Sequence, residues 1–228
     1  MRHAVPDEGA LEKRAEEMRA WAAAHGFGYE EVVPDELLTL PFYLFTMNTG
    51  TLVASGDNLL TGEWKGMPVD LFDVTVAVPD DVNVGGVSQY WVEHELITTA
   101  MAGTGADLPY VYIDKKDVTT RLADDLDRID HLHHDHLEVE CGAKDFDHHF
   151  EVHTTHPDFA RALMTHDMME GLLRHGTGFI YEVSGGQFIV HTPREEHYLP
   201  ELLDATKSFW DLIPEELVQE FASAETDG

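Results

Sequence analysis

The densest grouping of metal-binding side chains in this sequence is His131-Leu132-His133-His134-Asp135-His136. Imidazole and carboxylate are ligands that zinc and other divalent ions take, and a bound zinc lowers the pKa of its water toward neutrality. His131, His133, Asp135 and His136 are therefore candidate ligands for zinc or another divalent metal. A site built on them needs a further ligand within reach, such as His153 or His191. The chain has 15 histidines, most of them after residue 130. His148, His149, His153 and His156 form a second group. In a strand, His149 and His153 would share a face, because side chains alternate. The competing readings are a solvated loop of His and Asp for the first group and the polar face of an exposed strand for the second.

The pattern H-x-H-x-D-H resembles the metal-binding signature of the metallo-β-lactamase superfamily. That resemblance implies a hydrolase in which His131, His133 and His136 are zinc ligands and Asp135 binds a second metal. The frame around the motif departs from the superfamily. There the motif follows a buried apolar strand early in the domain. Here the preceding run, Leu122-Ala123-Asp124-Asp125-Leu126-Asp127-Arg128-Ile129-Asp130, is too polar for that strand, and the motif lies past the middle of the chain.

No other catalytic signature is present. The one cysteine, Cys141, excludes an intrachain disulfide and a Cys-based zinc cluster, and reads as a small buried hydrophobe. Ser184-Gly185-Gly186 reads as a turn, and no G-x-S-x-G nucleophile elbow occurs. Ala102-Gly103-Thr104-Gly105 and Val84-Gly85-Gly86 lack the lysine and the framing of a phosphate-binding loop. No cofactor is expected apart from the metal just described.

Charge narrows the partners. Asp plus Glu number 44 against 14 Lys plus Arg, a formal charge of −30. Such a field repels phosphate backbones and anionic membranes, which excludes direct nucleic-acid binding. Three readings fit the excess: a solubility adaptation, as in a salt-adapted organism; a docking surface for a protein with a basic surface; and a DNA mimic. The acids are spread along the whole chain with no long block, which favours the first. No apolar run approaches the ~20 residues that cross a bilayer, and residues 1–24 lack an apolar signal core. These features point to a cytoplasmic protein. Composition sets no oligomeric state.

The elements that must position these residues follow from periodicity. With 43% hydrophobic residues, the 228-residue chain is rich enough to bury a core. Leu11, Ala15, Met18 and Ala22 recur at helical spacing, predicting a helix over Glu8–His25 that Gly26 ends. Residues 37–47, broken by Pro41, read as a buried strand or loop. Strands flanking Lys65-Gly66 read as a hairpin, with further strands over 89–101, 108–114, 137–141 and 148–154. Residues 117–134 are polar and helix-permissive. Helices are predicted over 157–164 and 167–175, the second capped by Thr165. Residues 179–184 and 187–192 read as a hairpin about Gly185-Gly186. A closing helix spans 200–213, and the tail after Pro214 is expected to fray.

From Gly26 onward the chain resembles a group of uncharacterised, mainly actinobacterial proteins. The residues that carry this are Leu60-Thr61-Gly62 with Lys65-Gly66 and Leu71-Phe72-Asp73, then 145–153, then Asp158-Phe159-Ala160-Arg161-Ala162-Leu163 with Met168-Met169-Glu170-Gly171-Leu172-Leu173. The resemblance implies a strand, two short helices, a hairpin and a closing helix in that order. It implies no activity or site residue, and members of the group often carry membrane helices ahead of this domain.

The expected fold is α+β, with one or more antiparallel sheets packed against a few helices. The expected layout is a helix over 1–25, a single domain over 26–220 with a sub-boundary near 80–86, and a tail over 221–228. The expected function is a non-catalytic protein acting by protein–protein binding. The alternatives are a metal-dependent hydrolase using His131, His133, Asp135 and His136, and a DNA mimic.

Overall fold

The structure, a computed structural model, describes residues 8–46, 55–84, 87–116, 137–176, 178–192 and 199–222. In chain order these are α1 (Glu8–His25), β1 (Gly28–Val32), α2 (Asp35–Leu38), α3 (Tyr43–Thr46), β2 (Ser55–Trp64), β3 (Met67–Val84), β4 (Val87–Lys115) and β5 (Leu137–Glu138). They continue as α4 (Lys144–His149), β6 (Phe150–Thr154), α5 (Pro157–Leu163), α6 (His166–His175), β7 (Ile180–Thr192), α7 (Leu199–Leu212) and α8 (Glu215–Ala222). The strands form one open antiparallel sheet in the order β1-β2-β3-β4-β6-β5, with β7 also paired to β4. The fold is α+β, as the periodicity predicts.

Local chemistry explains the elements that were legible. Met18 and Ala22 are fully buried on the stripe that patterns α1, and Gly26 ends it at φ 78°. Lys65 and Gly66, with φ of 50° and 85°, make the tight turn between β2 and β3, where two positive φ values match the twist of the flanking strands. The Thr165 hydroxyl accepts the Met168 N–H at 3.2 Å and caps α6.

β4 is the spine. Its N-terminal part pairs with β3 from Asp70↔Met101 to Val84↔Val87, and its C-terminal part pairs with β6 from Val111 to Lys115. β7 pairs along β4 from Thr98↔Thr192 to Ile113↔Tyr181, with register shifts between Gly103 and Leu108 and again before Val111. The expected hairpin over 179–192 is therefore a single bent strand. Ser184-Gly185-Gly186 supplies the bend, but both arms bond to β4, because β4 bends at the same level.

Other expectations are corrected. Residues 37–47 were expected as strand or loop; α2 and α3 are single helical turns, joined by Phe42 N–H to Leu40 C=O at 2.8 Å. They sink Phe42, Leu44 and Phe45 against the sheet. His148 and His149 close the helix α4 and do not begin a strand. The helical spacing of Phe146 and Phe150 stacks their rings 5.0 Å apart in the core, and the Asp147 carboxylate accepts the Cys141 and Gly142 N–H groups at 2.9 and 3.0 Å. His149 and His153 thus share no strand face. Residues 215–222 form α8, not a frayed end: Leu217 is buried, and Phe221 meets Phe159 edge-on at 5.3 Å.

The sheet divides two apolar clusters. The larger packs α1 and the C-terminal helices on one face, around Leu71, Val111, Val183, Phe188 and Phe209. The smaller sits on the opposite face, where Phe42, Leu44 and Phe45 cover Leu59, Phe72, Val74, Ile97 and Ile189. The second face is therefore dry where the 33–45 segment covers it and polar further along β4 and β6.

Candidate functional site

On that second face, β7 buries Glu182 and His191. Glu182 is fully buried, and its Oε1 lies 3.2 Å from His191 Nε2. The same oxygen accepts the Leu44 N–H at 3.1 Å, and Oε2 accepts the Tyr110 hydroxyl at 3.2 Å. His191 Nδ1 and Thr99 Oγ1 are both buried without a hydrogen-bond partner, and these two residues face each other in the β4–β7 register.

The cluster continues along β4 and β6. The Tyr112 hydroxyl donates to Asp114 Oδ2 at 3.1 Å, and the Lys115 N–H donates to Oδ1 at 2.6 Å. Burial raises the Asp114 pKa above the usual carboxylate range against the lowering effect of these bonds and of His191, while Glu151 adds to the rise. His153 lies opposite Tyr112 in register, and its Nε2 is 3.4 Å from Glu151 Oε2.

A second buried network ties α1 to the opposite face. Arg14 grips Asp73 through Nε at 2.9 Å and Nη2 at 3.1 Å. Asn58 and Thr98 donate to the same carboxylate at 3.1 and 2.8 Å, and the Tyr29 hydroxyl donates to Asn58. Asp73 is fully buried, so the bidentate guanidinium is what permits its charge there.

His131, His133, Asp135 and His136 lie outside the described residues. Among the described residues, no three His, Cys, Asp or Glu side chains converge as a metal site. Cys141 packs beside the larger cluster, and burial, with Asp147 adding to it, pushes its thiol up to about 11. It is a protonated thiol at neutral pH, not an activated nucleophile.

Sequence reasoning missed Glu182, Tyr110, Asp114, Arg14 and Asp73. Two signals were available. Glu182 is a lone acid in a run of strand-forming apolar residues. Arg14 sits four residues before Met18 and eight before Ala22, on the buried stripe of α1.

Architecture and site together define an α+β protein with an open antiparallel sheet whose buried carboxylates, Glu182 and Asp73, are held by internal hydrogen bonds. The crystal structure of the mycobacterial trehalose monomycolate transport factor A, TtfA, is similar, with a TM-score of 0.60 at 18% identity over 88% of this chain and 96% of that one. At that identity the likeness shows the fold alone, and its mycobacterial source agrees with the actinobacterial resemblance. No protein-family model and no curated protein matches the chain. Among the described residues, no helix is long and apolar enough to cross a membrane.

Proposed function

We propose that this chain is a non-catalytic cytoplasmic binding protein that acts by docking a protein with a basic surface. The observation that supports this most is the division of its ionisable groups. The buried ones, Glu182 and Asp73, are each held by several internal donors. The exposed surface carries carboxylates such as Glu30, Asp35, Glu63, Glu138 and Glu216. The transport role in the name of the fold-sharing mycobacterial protein is compatible with a binding role here.

The test has two measurements on protein purified without a metal column or His-tag. One is metal content. The other is binding to a set of defined basic proteins across a salt series. The expected result is no stoichiometric metal, with binding that weakens as salt rises. Stoichiometric zinc, iron or manganese that disappears in His133→Ala would replace this reading with the metal-dependent hydrolase. Binding restricted to DNA-binding proteins, and competed by duplex DNA, would replace it with the DNA mimic.

A further inference from the structure

β1 is the outermost strand of the sheet, and its backbone orientation is defined. The Val33 N–H donates inward to the Gly56 carbonyl at 3.0 Å, in line with the constant register Gly28↔Thr61, Glu30↔Leu59 and Val32↔Asp57. Backbone groups alternate between the two sides of an antiparallel strand. With Val33 turned inward, the N–H and C=O groups of Gly28, Glu30 and Val32 turn outward. Among the described residues no strand pairs with that edge. Gly28, Glu30, Glu31 and Val32 are all exposed, and Val32 is 67% exposed.

An open edge is a template for another strand, and proteins ordinarily blunt it. Here the blunting is one-sided. Glu30 and Glu31 lie on the strand, and Asp35 and Glu36 follow on α2, all of them exposed. Arg19, 3.0 Å from Glu31, is the cation that answers them across from α1. Like charges directly opposite are destabilising in a sheet, whereas opposite charges stabilise cross-strand pairs. The edge therefore rejects a second copy of itself and accepts a basic strand. Glu30 and Val32 share one face of the strand and Glu31 lies on the other, so the matching segment sets two adjacent basic residues beside an apolar one.

We propose that the outer edge of β1 receives an extended lysine- or arginine-rich segment of a partner protein as an added strand. The proposal rests on the protein-binding reading above and gives it a place and a geometry. The outward backbone groups of Gly28, Glu30 and Val32 supply the hydrogen bonds, and Glu30 and Glu31 supply the charge selection.

The probe is a hexapeptide of repeating lysine-lysine-valine, with one of repeating glutamate-glutamate-valine as its opposite. Binding is measured by calorimetry and amide exchange is followed on the full chain. The expected result is binding of the basic peptide only, with slowed exchange at the Glu30 and Val32 amides and no change at Val33, which is already bonded. Val32→Pro removes one outward donor on an edge that tolerates proline, and it should weaken binding at least about tenfold with the melting transition retained. Glu30→Lys should weaken it likewise, while Glu216→Lys, which changes the net charge by the same amount on α8, should leave it near wild type. Equal weakening by Glu216→Lys, or unchanged binding in Val32→Pro, overturns the edge proposal while the broader docking role stands. Failure of the wild-type chain to bind the basic peptide, when it still binds basic proteins, also overturns the edge; failure to bind either overturns both.

Discussion

Glu182 and His191 touch at 3.2 Å although they lie nine residues apart on one strand. An extended strand of that length would hold them ~30 Å apart. The contact exists because β7 and β4 bend together, at Ser184-Gly185-Gly186 on one and between Gly103 and Leu108 on the other. Gly185, at φ 59°, takes the left-handed conformation that the bend requires. The buried pair is thus a clasp between the two arms of the sheet, and it also reaches the Leu44 amide, which belongs to the segment covering the smaller cluster.

Removing the clasp should loosen both arms. Glu182→Ala leaves the Leu44 amide, the Tyr110 hydroxyl and the His191 imidazole without this acceptor, and an unsatisfied buried donor costs about 1–3 kcal/mol. Denaturant unfolding should show a loss at the upper end of that range or beyond, with a smaller loss for Glu182→Gln, which retains one acceptor oxygen. A Glu182→Ala protein as stable as wild type would show that the pair carries no structural load.

The tie between α1 and the sheet should be equally exposed to a single change. Arg14→Ala strands the fully buried Asp73 carboxylate with only Asn58 and Thr98 as donors. Breaking a buried pair from one side costs about 3–5 kcal/mol. Asp73→Asn in the same chain should recover part of the loss, because the stranded charge is gone. Chemical denaturation of the single and double variants measures both effects.

Asp114 should make stability fall with rising pH. Its native pKa is raised above the unfolded value, mainly by burial. The native state therefore holds the proton where the unfolded chain has released it. The group's contribution is full below the ordinary carboxylate pKa near 3.8 and is lost as pH rises through the native value. Asp114→Asn should remove this trend, so that its stability relative to wild type improves between pH 3 and pH 7. A constant difference across that range would contradict the assignment.

The Cys141 thiol should be slow. With its pKa pushed up to about 11, the thiolate fraction at pH 8 is small. Native protein should react with a disulfide reagent more than about tenfold more slowly than the same protein in denaturant. Equal rates in the two states would show an exposed, unperturbed thiol.

Gathered by distance along the chain, the legible features are those carried by neighbours. α1 and its Gly26 end, the Lys65-Gly66 turn, the Thr165 cap and the helices α5, α6 and α7 are all written in contacts of one to four residues. The features misread or missed are those where local pattern is silent or ambiguous. Phe146 and Phe150 fit either a strand or a helix until the core on which they stack is present. Residues 37–46 look equally apolar whether extended or turned, and only the surface of Phe72 and Ile189 selects the turns.

The sequence by itself determined the α+β class, the acidic charge, the single thiol and the positions of α1, α5, α6 and α7, because composition and short-range periodicity are properties of the chain alone. The tertiary structure decided that 180–192 is one bent strand rather than a hairpin. It brought together Arg14 with Asp73, 59 residues apart, and Tyr110 with Glu182, 72 apart. It also left the β1 edge facing outward with its acids. Pairing between distant residues depends on which strands lie side by side, and strand order follows from burying the whole apolar surface at once, a condition that no short stretch of sequence contains.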